Sequence, residues 1–230
     1  MSSESGPNLI TNGLVLCLDA ANPLSYKSGA TIWNDLTYNT SGGTLTNGPT
    51  FSSTNGGSIV FDGVDDYVET GVPILTSNAS YTMVAWAKSS VSGFQNRLMG
   101  NADSTVGLSG TDIIWGANSA NKIYVVRRGG GGASYDMISS NISNLLTAWH
   151  QITVTYNHTG VGSILYVDNI QVANNTGLGF ACSLPFRIGR DGNGTDRFQG
   201  NVSNVLLYNR ALSAQEVLQN YNSTKSRFGL

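Results

Sequence analysis

Along most of the chain, apolar positions fall in short β-branched and aromatic runs separated by clusters of Gly, Asn and Ser. That is the pattern of strands joined by tight turns. The clearest run is 149–156, where Trp149, Gln151, Thr153 and Thr155 alternate with His150, Ile152, Val154 and Tyr156. A period of two places the second set on one face of a strand, and three of its four members are apolar or aromatic. Residues 13–18 read as the first strand, and 58–61 and 67–69 as a pair around Asp62-Gly63. Residues 81–88 make a longer one. Residues 113–115 and 122–126 are joined by a polar turn, and 135–138 pairs with the latter across a glycine run. Residues 163–167 and 170–173 flank Asp168-Asn169, a two-residue hairpin signal of the primed-turn kind. Residues 186–188 and 201–208 complete roughly a dozen strands at the spacing of about 8–12 residues that marks sandwiches and barrels.

Each alternating strand has one face to bury, so two packed sheets follow and the fold class is all-β. One helix is predicted near the end. Ser213 and Glu216 have the spacing of a capping box, and Val217, Leu218 and Tyr221 form a short apolar stripe behind them. Such a helix is expected to plug an edge of the sandwich. No repeat, linker or charge block divides the chain. The expected organisation is an N-terminal arm, 1–10, followed by one domain, 11–230. Residues 2–8 are polar and expected to be mobile alone, an arm that orders on a partner.

Composition narrows the function classes. Of 230 residues, 40% are apolar and 11% charged, against a usual charged share of about 25%. A net charge of −2 argues against a nucleic-acid partner, which favours a basic face. A sparsely charged, amide-rich surface suits neutral polar ligands and packed protein interfaces. No stretch has the ~20 apolar residues needed for a membrane-spanning helix, so no membrane insertion is expected. The first eight residues, MSSESGPN, lack the basic start and apolar run of an export signal, which implies a chain that stays in the cytoplasm where it is made. Cys17 and Cys182 are too few for a disulfide scaffold and are expected as buried free thiols, with a bridge between them as the alternative.

Several segments, taken in order, resemble one family. Residues 58–68, Ser-Ile-Val-Phe-Asp-Gly-Val-Asp-Asp-Tyr-Val, match the F-D-G-x-x-D-Y-V segment of laminin G-like, concanavalin A-like jelly rolls. Residues 81–86, 149–156, 165–169 and 198–213 resemble four further strands of that family, with Asn169 where Gly is usual. The resemblance runs from about Gly13 to Tyr221. It implies a two-sheet antiparallel jelly-roll sandwich with Trp86 and Trp149 on core strands. Residues 11–16, 33–36, 45–51 and 219–222 are similar to laminin G-like proteins of tailed bacteriophages. That likeness implies a virion surface component, such as a head decoration, fibre or tail protein. Such a protein assembles in the host cytoplasm and acts through contacts with other virion proteins and with copies of itself.

Candidate chemistry is sparse. Glycoside hydrolysis needs two carboxyl groups across the scissile bond, which the glucanases of this fold place on one strand as E-x-D-x-x-E. The glutamates here, Glu4, Glu69 and Glu216, cannot make that pattern, and no G-x-S-x-G nucleophile motif accompanies His150 or His158. Catalysis is therefore not expected, and a glycan-cleaving enzyme is the weakest of three readings. Hard oxygen ligands in turns suit Ca2+. Asp62, Asp65 and Asp66 put three carboxylates within five residues, a candidate structural calcium site set against ordinary Asp-rich turn chemistry. Residues 191–196 begin like a calcium loop, but Asp196 stands where an EF-hand has Gly, and the distal Glu is missing. A sugar site needs an aromatic platform beside amides and carboxylates. Trp115, Asn118, Asn121, Tyr124 and Tyr135 are the candidates, with Trp33 and Asp136 beside them and packing between the sheets as the alternative. The pair Arg127 and Arg128 precedes four glycines. It lacks the Gly-Lys-Ser/Thr of a phosphate loop and reads as a hairpin tip making contacts with a neighbouring subunit. The functional expectation is a virion surface protein with weak adhesion to cell-surface glycans; a free lectin-like module is the alternative.

Overall fold

A computed structural model describes residues 7–71, 79–93, 95–102, 110–116, 121–128, 137–176, 185–191, 194 and 196–230. Sixteen strands are described, all paired antiparallel, in two eight-stranded sheets. In chain order they are β1 (Leu14–Asp19), β2 (Ile32–Trp33), β3 (Gly43–Thr46), β4 (Thr50–Ser52), β5 (Ser58–Asp62), β6 (Tyr67–Glu69), β7 (Tyr81–Lys88) and β8 (Arg97–Gly100). They continue with β9 (Gly110–Trp115), β10 (Ile123–Arg128), β11 (Met137–Ile138), β12 (His150–Asn157), β13 (Gly162–Val167), β14 (Ile170–Asn175), β15 (Arg187–Ile188) and β16 (Gln199–Tyr208). The first sheet runs β14-β13-β12-β7-β16-β5-β4, with β1 also paired to β16. The second runs β11-β10-β9-β8-β15-β6-β3-β2. This is the two-sheet antiparallel sandwich expected from the alternation.

The faces turned toward each other build one core. Met83, Ala85, Ile152, Val154, Leu165, Val205 and Leu207 come from the first sheet, and Val68, Met99, Ile113, Ile123, Val125 and Ile188 from the second. Burying each large aliphatic side chain there contributes about 1.5–3 kcal/mol. The phase read from residues 149–156 holds, since Ile152, Val154 and Tyr156 lie in this core. Asp168 and Asn169 adopt φ of 50° and 67°, the backbone of the primed turn, and β13 pairs with β14 across them. One expected pairing fails. β5 belongs to the first sheet and β6 to the second, so the Asp62–Asp66 turn passes the chain between sheets instead of closing a hairpin. A tight turn after a strand reads alike in both cases, because sequence specifies the turn and not the sheet that receives it.

The terminal helix α1 (Ala214–Thr224) starts with the predicted capping box. Ser213 Oγ accepts from the Glu216 N–H, and the Glu216 carboxylate accepts from the Ser213 N–H at 2.9 Å. Its position differs from the expectation. It lies across the outer face of the first sheet, where Val217 joins Cys17, Val84, Tyr166, Leu206, Tyr208 and Leu212 in a second apolar cluster. A 3-10 turn, Lys225–Phe228, continues it. Trp86 stacks on Phe228 at 4.2 Å and on Tyr221 at 5.7 Å between ring centroids. Leu9 and Ile10 pack against the same cluster. Asn220 accepts from the Ile10 N–H, Tyr208 donates to the Ile10 carbonyl, and Gln219 donates to that of Asn8. Gln151, Thr153 and Thr155 are buried although they point away from the core.

Candidate functional site

The sequence candidates divide. Trp115 and Trp33 are fully buried core residues, so neither offers a platform to a sugar. The run Ile113-Ile114-Trp115 is apolar throughout and shows no phase, which is why the indole could be read as outward. Tyr124 is half-buried on the outer side of the second sheet beside Ile114 and Val126, and Asn121 is exposed. Asn118, Tyr135, Asp136 and the glycine run lie outside the described residues, as does Cys182. Arg127 is not at a hairpin tip. It follows Ile123 and Val125 in phase and is buried to 1% exposure. Its guanidinium donates to Ser163 Oγ at 2.6 Å and lies 4.1 Å over the Tyr156 ring. An arginine sealed there cannot reach another subunit. The side chain of Arg128 lies outside the described atoms.

The turn from β5 to β6 does gather its carboxylates. Ligand atoms of Asp62, Asp65 and Asp66 lie within 4.8 Å of one another, with Asp62 and Asp65 exposed and Asp66 buried. Asp62 accepts from the Val64 N–H at 2.7 Å and Asp66 from the Asp62 N–H at 3.0 Å. The Val64 N–H is the main influence holding the Asp62 carboxyl below its ordinary pKa. Burial, reinforced by the neighbouring carboxylates, raises that of Asp66. Three acidic oxygens this close are the donor set a hard cation takes. Beside the turn, Val64, Val91, Asn96, Arg197 and Gln199 line a cavity of about 340 Å3. Farther along, Asp191 and Asp196 close their own loop backbone to backbone, and Asp196 holds Arg97 at 2.8 Å.

The outer face of the second sheet carries a different arrangement. β3 and β6 pair Thr44 with Glu69 and Thr46 with Tyr67. Leu45 and Val68 alternate toward the core, so those four side chains point outward. With Ser41, Gly42, Thr70 and Gly71 they line a groove of about 320 Å3. Charge in this region is paired in advance. Arg187 donates to Glu69 at 2.7 Å, and Arg190 lies 4.2 Å over the Tyr67 ring. Burial and the neighbouring Arg187 lower the Arg190 pKa. The groove therefore presents hydroxyls and the Glu69 carboxylate, whose charge is offset by its ion pair with Arg187. That matches a neutral ligand rich in hydroxyl groups. Thr44 is exposed and the Glu69 side chain 38% exposed. The signal was present in the sequence as Gly-Thr-Leu-Thr and Tyr-Val-Glu, two short alternating segments.

Both glutamates among the described residues are held in ion pairs, Glu69 with Arg187 and Glu216 with Arg210. His150 is buried and shares a 2.6 Å hydrogen bond with Asp168, next to Trp115 and away from the groove residues.

The fold has known relatives. The binding domain of Paraclostridial Mosquitocidal Protein 1 superposes with a TM-score of 0.64 at 18% identity, covering 92% of this chain and 52% of that one. The receptor binding domain of botulinum neurotoxin type G gives 0.64 at 17%, covering 92% and 51%. Domain 4 of an extracellular arabinanase from Geobacillus stearothermophilus, solved with arabinotriose, gives 0.60 at 14%, covering 90% and 98%. The chain spans about half the length of the two toxin domains. No curated protein matches the sequence. The sequence model of one family matches residues 62–218, and with this sandwich beneath the match the chain belongs to the concanavalin A-like lectin/glucanase superfamily.

Proposed function

We propose that the protein is a non-catalytic adhesion module that holds a neutral glycan in the groove between β3 and β6. One observation carries this reading: the outer face of the first sheet is sheathed by α1, while the β3–β6 part of the other outer face is open and lined by hydroxyls beside a pre-paired Glu69 and Arg187. Sugar hydroxyls want fixed donors and acceptors, and side chains locked by mutual pairing supply them without ordering on binding. The receptor-binding toxin domains and the arabinotriose-bound domain among the relatives support it. A glycan array tests it, with wild type beside Thr44→Tyr, which fills the groove from an exposed position. Binding by wild type and its loss in the variant is the expected result. Silence of the wild type on the whole array would sink the reading.

The setting expected from the phage-like segments is proposed with it: a virion surface subunit assembled in the host cytoplasm, presenting this face to cell-surface glycans. Mass spectrometry of purified particles tests that, and absence from them overturns it. A structural Ca2+ at Asp62, Asp65 and Asp66 is also proposed, supported by the convergence of their oxygens. Cation bound only by the folded state raises the melting temperature. Calcium should therefore raise it over chelator, and Asp65→Asn should remove the difference.

A further inference from the structure

We infer that Arg197 and the cavity beside the β5–β6 turn bind the carboxylate of a sugar acid, at a second ligand site separate from the β3–β6 groove. The two sites share no lining residue, so the inference does not rest on the groove reading. Arg197 is half-buried and lines the cavity of about 340 Å3, a size within the range of small-ligand clefts. What singles it out is the state of its guanidinium. Arg97, Arg187, Arg210 and Arg227 each hold a carboxylate, of Asp196, Glu69, Glu216 and Asp19 respectively. Arg197 holds none among the described residues. Asp196, next to it in the chain, spends its carboxylate on Arg97 at 2.8 Å. The Arg197 guanidinium donates from Nη1 to the Asp196 carbonyl at 3.3 Å, and its Nε is buried without an acceptor. A buried charged donor left unmet is costly and calls for a partner.

The edge left open is chemically specific. Nε–H and Nη2–H point the same way in parallel, and that fork fits the two oxygens of one carboxylate. The side chain is held by one long bond among the described residues, so a small swing on binding brings both nitrogens onto the ligand. The backbone beneath it is fixed. The Arg197 N–H donates to the Gln95 carbonyl at 2.8 Å, and the Gln199 N–H to Asn96 Oδ1 at 3.0 Å. The buried Asn96 amide also donates to Ser89 Oγ and to the Val91 carbonyl, tying that wall to the same floor. Ser92, Gln95 and Gln199 are exposed around the cavity and offer a hydroxyl and two amides to sugar hydroxyls. The neighbouring turn meets the cavity through Gly63 and Val64. Its Asp62 and Asp66 carboxylates are engaged by the turn's own N–H groups.

The test is titration calorimetry of the full-length protein with glucuronic, galacturonic and N-acetylneuraminic acids, against glucose, galactose, glucuronamide and acetate. The buffer contains calcium, so that a cation is available to the carboxylates of the turn. The expected result is that at least one acid binds ten times or more tighter than the neutral sugars and than acetate. Arg197→Lys keeps the charge and loses the fork, and should weaken that acid about tenfold, which is about 1.4 kcal/mol. Arg197→Met should abolish detectable binding. Ser92→Phe fills the cavity from an exposed position with Arg197 intact and should do the same, which decides the matter if Arg197→Met does not fold. Thr44→Tyr, which fills the groove, should bind the acid like wild type. A wild type that does not prefer an acid to its neutral counterpart overturns the inference. So does binding that survives Arg197→Met or Ser92→Phe. Full affinity in Arg197→Lys overturns the fork, and acetate binding as tightly as the acids overturns the sugar. Loss of the acid in Thr44→Tyr would place it in the groove and overturn the assignment to Arg197.

Discussion

Burial decides what single side chains can do in this protein. Cys17 lies under α1, and burial, with Asp19 and Asp35 nearby, pushes its thiol up to about 12. The thiolate is the reactive form. In a Cys182→Ser protein at pH 8, Ellman's reagent should therefore leave Cys17 untouched until denaturant is added; fast native labelling would contradict this. Glu216 is displaced the other way. Two hydrogen bonds from Arg210, with help from Ser213, lower its carboxyl from 4.5 to about 2. A carboxyl depressed in the folded state adds stability that is full above pH 4.5 and is lost as the pH falls toward 2. Glu216→Gln should melt lower than wild type at pH 7, and the gap should close by about pH 2. Arg127 shows where residue-level reading stops. Its inward phase was legible from Ile123 and Val125, but a charge next to a glycine run argues for the surface. The ring of Tyr156 and the hydroxyl of Ser163, brought from distant strands, are among the contacts that make its burial tolerable.

At the scale of elements, the strands with steady alternation were readable and the short edge pieces were not. β12 shows its inward set outright, whereas β2 has two residues and β4 three, too few for a period to appear. The groove escaped because four-residue β3 does not read as a strand, and β6, which does, reads as the partner of 58–61 instead of β3. The capping box of α1 was legible because it is local, and its resting place was not, because that depends on Trp86, Trp149 and Tyr208 from elsewhere. Ser213→Ala should cost about 1 kcal/mol of stability, measured by denaturant unfolding. Deleting residues 225–230 removes Phe228 from Trp86 and Trp149 and Arg227 from Asp19. Tryptophan emission should shift to the red without loss of β-type circular dichroism. Unshifted emission would mean the terminal turn does not shield those indoles.

The molecule as a whole is tied together by β16. It pairs with β7 on one side and with both β5 and β1 on the other, setting Leu14 opposite Tyr208. Pairings so distant in sequence make folding slow relative to helical bundles. One core cluster draws on both sheets, so near- and far-ultraviolet dichroism should report a single shared melting transition; separated midpoints would show that the sheets melt independently. A chain lacking residues 1–19 loses β1 and should show no cooperative transition. The same geometry has a consequence for display. Residues 8–10 and α1 are bonded to each other on one outer face, and the β3–β6 groove opens on the opposite one. A neighbour tethered through either end would sit behind the tile and leave the groove facing outward. Many copies fixed to one support would then act as a coating of aligned weak grips, whose combined hold rises far above that of any single copy.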